Sequence, residues 1–142
     1  MKDNCTFCKI VNGETAAAIV FEDDSSLVFL DHRPLFPGHC LSIPKEHFET
    51  LGDLPKELIT PFFSTTQFLA QVVELALEAE GTFIAINNRV SQSVPHLHAH
   101  VVPRRRKDGL KGFFWPRHKY ENEEAMLAIQ KAIRSTVAKI QN

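Results

Sequence analysis

The sequence predicts an α+β fold: about five short strands in a largely antiparallel sheet, with two main helices. Three observations carry this expectation. Short β-rich runs follow one another through residues 17–44 with only turns between them. Two long stretches, one central and one C-terminal, carry apolar residues at spacings of three and four. No repeat, low-complexity tract or linker interrupts the chain, so residues 1–142 are taken as a single domain.

AAIVFEDD and SSLVFLD are two strands joined by a turn at Asp23-Asp24-Ser25-Ser26, whose short polar side chains can bond their own backbone. After the turn-rich RPLFPG, HCLSIP (39–44) is a third strand, closed by Pro44. Pro61 lacks an amide donor and its ring crowds the preceding turn. The central helix is therefore expected from Phe62 to Glu80, with Gly81 as its stop. Phe68, Leu69, Val72, Val73, Ala76 and Leu77 mark its apolar positions. TFIAIN (82–87) is the fourth strand and HLHAHVV (96–102) the fifth. The tail ENEEAMLAIQKAIRSTVAKIQ has acids in its first turn and Lys139 in its last, which suits a helix dipole. Its stripe of Met126, Ile129, Ile133, Val137 and Ile140 is expected to pack on the core.

With 44 % apolar and 23 % charged residues the composition is that of a soluble globular protein. A net charge of −1 gives no bulk electrostatic support to nucleic-acid binding. The basic run Arg104-Arg105-Arg106-Lys107 reads as a short solvated turn. No apolar stretch approaches the roughly 20 residues that span a bilayer, and MKDNCTFCKI lacks a signal-peptide core. Three cysteines, an odd number, suit a reducing compartment, so the expected location is the cytoplasm, with no membrane partner.

VPHLHAHVVPRRR sets three of the seven histidines at alternate positions. On a strand, His96, His98 and His100 share one face while Leu97, Ala99 and Val101 take the other. Two chemistries fit such a row. A His-x-His pair can ligate a catalytic zinc with a third ligand from elsewhere. Alternatively one imidazole is a nucleophile, and its neighbours orient it and carry protons. Spacing alone leaves both open. The preceding NNRVSQSVP (87–95) adds amides and hydroxyls able to bind anionic oxygens. Cys5-x-x-Cys8 is half of a zinc ligand set, with two buried reduced thiols as the plainer alternative. A redox role lacks the expected strand-to-helix context, and Cys40 on a strand reads as a small buried hydrophobe. GFFWPRHKY (112–120) is aromatic-dense and suggests packing on the sheet or on a partner.

HLHAHVV resembles the His-φ-His-φ-His-φ-φ signature of the histidine triad (HIT) superfamily. CTFCKIVNGE, VFEDDSSLVFLDHRPLFPGHCLSIPKEH and INN…QSVPHLHAHVVPR extend the likeness along the chain. The resemblance implies a HIT-like fold with its sheet extended across a homodimer. It also implies a hydrolase or transferase of the Hint/Fhit kind, acting at the α-phosphate of a purine nucleotide conjugate. By that resemblance His98 is the nucleophile, forming a nucleotidyl-histidine. His100 and His39 support it, and Gln92 and Ser93 contact phosphate and leaving group. Asp31 would hold the ribose hydroxyls, which suits an acceptor-only carboxylate. Phe7, Ile10, Phe29 and His32 would wall the base pocket, with Asn87 near ribose and phosphate. Relatives with the cysteine pair resemble zinc binders, completed here by His47 of PKEH and by His96. That is a closed Cys₂His₂ structural zinc, with no catalytic cofactor implied.

The loop before Gln92 departs from the family pattern. Arg89 stands where a glycine is expected, Ser91 replaces the glycine before Gln92, and the loop is two residues shorter. Glycine admits backbone angles that serine resists, so the match to the family's phosphate-binding backbone breaks at this loop. Arg33 and Arg89, with the shortened loop, favour dinucleoside polyphosphates such as diadenosine tetraphosphate over nucleoside phosphoramidates. Two rival classes stand beside this reading: a zinc hydrolase that uses the three histidines, and a non-catalytic nucleotide-binding regulator.

Overall fold

Among the described residues five strands form one open antiparallel sheet in the order β1-β2-β3-β5-β4. They are β1 (Ile19–Glu22), β2 (Ser26–Leu30), β3 (Cys40–Pro44), β4 (Gly81–Ile86) and β5 (Ala99–Arg104). The helices are α1 (Thr6–Val11), α2 (Lys56–Leu77) and α3 (Glu123–Gln141). The computed structural model describes residues 2–110 and 117–141. The chain divides into two units, Met1–Asp108 and Gly109–Asn142.

The first unit holds the sheet. The Asp23 carboxylate shapes the β1–β2 turn by accepting from the amides of Ser25 at 2.9 Å and Ser26 at 2.7 Å. β2 and β3 pair without a slip, from Ser26 opposite Pro44 to Leu30 opposite Cys40. Both strands are buried nearly throughout because side chains cover the two faces of the sheet. On one face Leu27, Phe29, Leu41 and Ile43 pack with Cys5, Phe7, Cys8 and Ile10 from the α1 segment. On the other, Val28, Cys40 and Val101 meet Leu69 and Val73 of α2, while Leu97 and Ala99 meet Phe62. The alternation expected for Leu97, Ala99 and Val101 is therefore present, and all three are fully buried.

Several boundaries differ from the sequence expectation. α2 starts at Lys56, so Pro61 lies inside it, in the second turn. There it removes only the bond that its missing amide would have made to the Glu57 carbonyl. α2 ends at Leu77 rather than beside Gly81, because Glu78 turns left-handed at φ 51 and ψ 38. The Arg105 guanidinium donates to the carbonyls of Leu77 and Glu78, so a cation closes this helix end. Arg104 grips the Asp108 carboxylate at 2.6 and 2.9 Å, and Arg106 reaches Glu80 at 3.1 Å. The basic run is a solvated turn as expected, with Arg105, Arg106 and Lys107 exposed, and its three arginines hold anchored contacts. β5 begins at Ala99, so His96 and His98 precede it and only His100 joins the ladder, opposite Leu41 and Ala85. α1 has no counterpart among the expected elements; six residues are too few to display a period.

In the second unit α3 forms as expected, but Met126, Ile129, Ile133, Val137 and Ile140 are exposed. No other helix or strand among the described residues of that unit offers the stripe a surface. Gly112, Phe113, Phe114, Trp115 and Pro116 lie outside the described residues.

Candidate active site and metal centre

The three alternate histidines divide between two neighbouring sites. His96 turns Nδ1 toward the thiols, 3.6 Å from Cys5 Sγ and 3.7 Å from Cys8 Sγ, while Nε2 lies 2.8 Å from the Pro44 carbonyl. A carbonyl only accepts, so Nε2 carries the proton and Nδ1 presents a lone pair to the sulfurs. His47 Nδ1 is 3.3 Å from Cys8 Sγ, and its buried Nε2 has no hydrogen-bond partner among the described residues. All four donor atoms lie within 4.8 Å of one another. Metal bonds of about 2.3 Å to sulfur and 2.0–2.1 Å to nitrogen, at tetrahedral angles, set sulfur and nitrogen about 3.6 Å apart. The observed spacings match, and Pro44 supplies the outer hydrogen bond that fixes a ligating imidazole. The residues fit a closed zinc site. Cys5 caps α1 and Cys8 lies within it, His47 follows β3 and His96 precedes β5, so a metal would tie three distant segments. Burial, with the neighbouring His47 and His98, pushes His96 down to about 4 against the bond to Pro44, keeping it in the neutral form that a metal binds.

His98 faces the second site. Its Nδ1 lies 2.7 Å from the His96 carbonyl, so Nδ1 donates and Nε2 is left as a bare lone pair. His98 lines a cleft of about 550 Å³ together with Phe7, Ile10, Phe29, Asp31, His32, Ser93 and His100. The proton on His100 follows by the same logic. The Leu35 amide donates to His39 Nδ1 at 3.1 Å, so His39 carries its proton on Nε2. That N–H donates to His100 Nδ1 at 2.9 Å, which leaves the His100 proton on Nε2. The cleft therefore holds a lone-pair imidazole and an N–H imidazole with ring centroids 5.0 Å apart. Asp31 stands 3.7 Å from His39 Nε2. Burial pushes His100 down to about 4, with His98 and His39 adding to the effect and Asp31 opposing it. Burial also lowers His98 and His39, so all three rings are neutral at neutral pH. Among the described residues, the groups placed to hold a metal are Cys5-Cys8-His47-His96 and Asp31-His39-His100; the row 96-98-100 is not one ligand set.

Not every expected residue reaches the cleft. Gln92 is tied into its own loop, accepting from the Arg89 amide at 2.9 Å and donating to the Glu49 carbonyl at 2.6 Å. Asn87, half-buried just past β4, does not line the cleft, nor do Arg33 and Arg89. Sequence reasoning missed the backbone groups that set the tautomers, the Leu35 amide and the carbonyls of Pro44 and His96. They carry no side-chain signature. Ala16, Ala17 and Ala18 line the cleft without one either.

The departing loop keeps the backbone shape that glycine would provide. Arg89 has φ 68 and Ser91 has φ 59, both left-handed. This region costs an ordinary residue about 1–2 kcal/mol. Arg89→Gly and Ser91→Gly are each expected to stabilise the protein by about 0.5–1 kcal/mol after the added unfolded-state freedom of glycine is counted. Denaturant unfolding measures this, and loss of stability in both would show the loop to be unstrained.

Fold and site together define a histidine-triad protein. The chain belongs to the HIT family, whose HIT domain model matches residues 12–107. It is 40 % identical over 107 residues to an uncharacterized HIT-like protein of Methanocaldococcus jannaschii, covering 74 % of this chain and 82 % of that one. It is 33 % identical over 112 residues to an adenylylsulfatase of Arabidopsis thaliana, covering 78 % of this chain and 57 % of the relative. Identity to an adenosine 5'-monophosphoramidase of Candida albicans is 28 % over 145 residues, covering 98 % and 95 %. Among solved structures, a HIT family protein of Bacillus subtilis superposes with TM-score 0.84 at 34 % identity, covering 94 % of this chain and 96 % of that one. A zinc-bound histidine triad family protein of Mycobacterium smegmatis gives TM-score 0.72 at 36 % identity, covering 96 % and 97 %.

Proposed function

We propose that this protein hydrolyses purine nucleotide conjugates at the α-phosphate through a covalent nucleotidyl-histidine on His98. The observation that carries the proposal is the tautomer: with Nδ1 bonded to the His96 carbonyl, His98 offers an unprotonated Nε2 to the cleft. In the first step a bond forms from His98 Nε2 to phosphorus as the bond from phosphorus to the leaving group breaks. His100 donates a hydrogen bond from Nε2–H to the phosphoryl oxygens as charge develops on them, the departing group takes its proton from solvent, and His39 holds His100 in place. Water then attacks phosphorus and releases a proton to solvent, the nitrogen–phosphorus bond breaks, and its electron pair returns to His98 Nε2. Asp31 would accept from the ribose hydroxyls, Phe7, Ile10, Phe29 and His32 would hold the base, and Ser93 would contact phosphate. Gln92 would join only by exchanging its bonds to Arg89 and Glu49.

The leaving group we propose is small, an amine or a sulfate on adenosine monophosphate, in place of the polyphosphate favoured by the arginines in the sequence. Neither arginine lines the cleft, and two relatives bear the names adenosine 5'-monophosphoramidase and adenylylsulfatase. Steady-state turnover of adenosine phosphoramidate, adenylyl sulfate and diadenosine tetraphosphate tests this, with the first two expected to be faster. Faster cleavage of the tetraphosphate would reverse the assignment. Loss of all turnover on chelation while the protein stays folded would favour the zinc hydrolase instead. Nucleotide binding without turnover would favour the regulator.

Cys5, Cys8, His47 and His96 would hold zinc as a structural tie. Three free thiols make the cytoplasm the compartment we propose. We also propose a homodimer joined through β4. The edge strand β1 is four residues long with a register irregularity, whereas the opposite edge β4 has six regularly paired residues and an exposed Ile84. Ile84→Lys is expected to shift the sedimentation profile from dimer to monomer; an unchanged profile removes β4 from the interface.

A further inference from the structure

We propose that the metal centre and the nucleotide cleft are energetically coupled, and that Phe7 is the positioning residue connecting them. The proposal rests on reading His98 as the nucleophile. Phe7 stands between Cys5 and Cys8 on a helix of six residues. A helix that short has no stability of its own in water, so its place depends on what holds it to the rest of the protein. Here that is the buried set of Cys5, Phe7, Cys8 and Ile10, packed on Leu27, Phe29, Leu41 and Ile43, with the two thiols flanking Phe7.

Two restraints orient the His98 ring, and each starts beside a metal-site residue. The first is Phe7, whose ring meets His98 edge-to-face at 5.2 Å and 86°, and meets Phe29 at 5.2 Å and His96 at 5.9 Å. The second is the His96 carbonyl, which takes the His98 Nδ1 proton at 2.7 Å. His96 is itself pinned by Pro44 on one side and faces the two thiols on the other. An ion that fixes Cys5, Cys8 and His96 thereby fixes the ring contact and the carbonyl together. In the opposite direction, a nucleotide against Phe7 and Ile10 holds α1 down and so presents both thiols. Coupling of this kind is reciprocal: whatever factor zinc adds to nucleotide affinity, nucleotide must add to zinc affinity.

The test uses adenosine monophosphate and zinc as probes on the whole chain. Zinc loading is expected to tighten adenosine monophosphate binding by about fivefold or more, and saturating nucleotide to slow zinc loss to a chelator by tightening the metal equally. Phe7→Leu fills the space without an aromatic edge. It is expected to bind one zinc per chain while the coupling factor falls toward one, and Phe7→Tyr is expected to restore it. A nucleotide-free readout runs beside these. Histidine-labelled nitrogen NMR of zinc-loaded protein is expected to give His98 a single Nδ1–H tautomer, and Phe7→Leu a mixture of both. Nucleotide affinity that is the same with and without zinc overturns the proposal, as does an unaltered His98 signal in Phe7→Leu. If zinc-free protein fails to fold, the loaded Phe7→Leu spectrum decides. If adenosine monophosphate does not bind the loaded wild type, the nucleotide reading falls while the spectrum still decides the coupling.

Discussion

His98→Ala is expected to lower kcat/KM for adenosine phosphoramidate by roughly 10⁴-fold or more while zinc content stays unchanged. A group that forms the covalent bond cannot be replaced by the binding interactions around it, so the loss belongs to kcat rather than KM. His98 is 2 % exposed, and deleting its ring opens a cavity and strips the His96 carbonyl of its donor. His98→Asn is therefore the companion variant, smaller in cavity and still carrying an amide donor, and it is expected to be equally inactive. A nucleotide–protein adduct trapped by rapid denaturation should appear in wild type and be missing from both variants. Turnover by His98→Asn within tenfold of wild type would end the covalent reading, because asparagine has no lone pair able to displace at phosphorus.

How much of this was readable beforehand depends on distance along the chain. The two-residue alternation of HLHAH reported a local fact, and Leu97, Ala99 and Val101 bear it out by turning together into the α2 face. What divides the histidines is not local. His96 belongs with Cys5 and Cys8 because the fold carries residues about 90 positions apart into contact, and spacing around residue 96 holds no record of that. The same contrast explains the misplaced boundaries. Pro61 and Gly81 are strong local signals, yet the end of α2 is set by Glu78 and by Arg105, which is 27 residues further on. α1 was hidden because a helix of under two turns leaves no period, even though Cys5, Phe7, Cys8 and Ile10 mark its buried side. The protonation pattern of the site was least readable of all. It is written by the Leu35 amide and the His96 carbonyl, groups that every residue possesses.

Removing the metal is expected to lower the melting temperature by roughly 12 to 16 °C. An ion held at about a thousand times its dissociation constant contributes about 4.1 kcal/mol, because it binds the folded chain and not the unfolded one. For 142 residues each kcal/mol moves the midpoint by about 3 to 4 °C. Cys8→Ser should reproduce the loss, since a hydroxyl there keeps the polar contact but not the thiolate ligand. The two manipulations discriminate most sharply when combined. If Cys8 acts through a metal, chelation adds nothing to Cys8→Ser, because both remove the same interaction. If Cys5 and Cys8 are only buried thiols, chelation leaves the wild type unmoved and Cys8→Ser costs about 1 kcal/mol, the scale of one exchanged hydrogen bond. Thermal unfolding of the two proteins, with and without chelator, therefore separates a tie that organises three segments from a pair of sulfurs in a core. The His47 Nδ1 placed 3.3 Å from Cys8 Sγ and the lone pair that His96 aims at the thiols favour the tie.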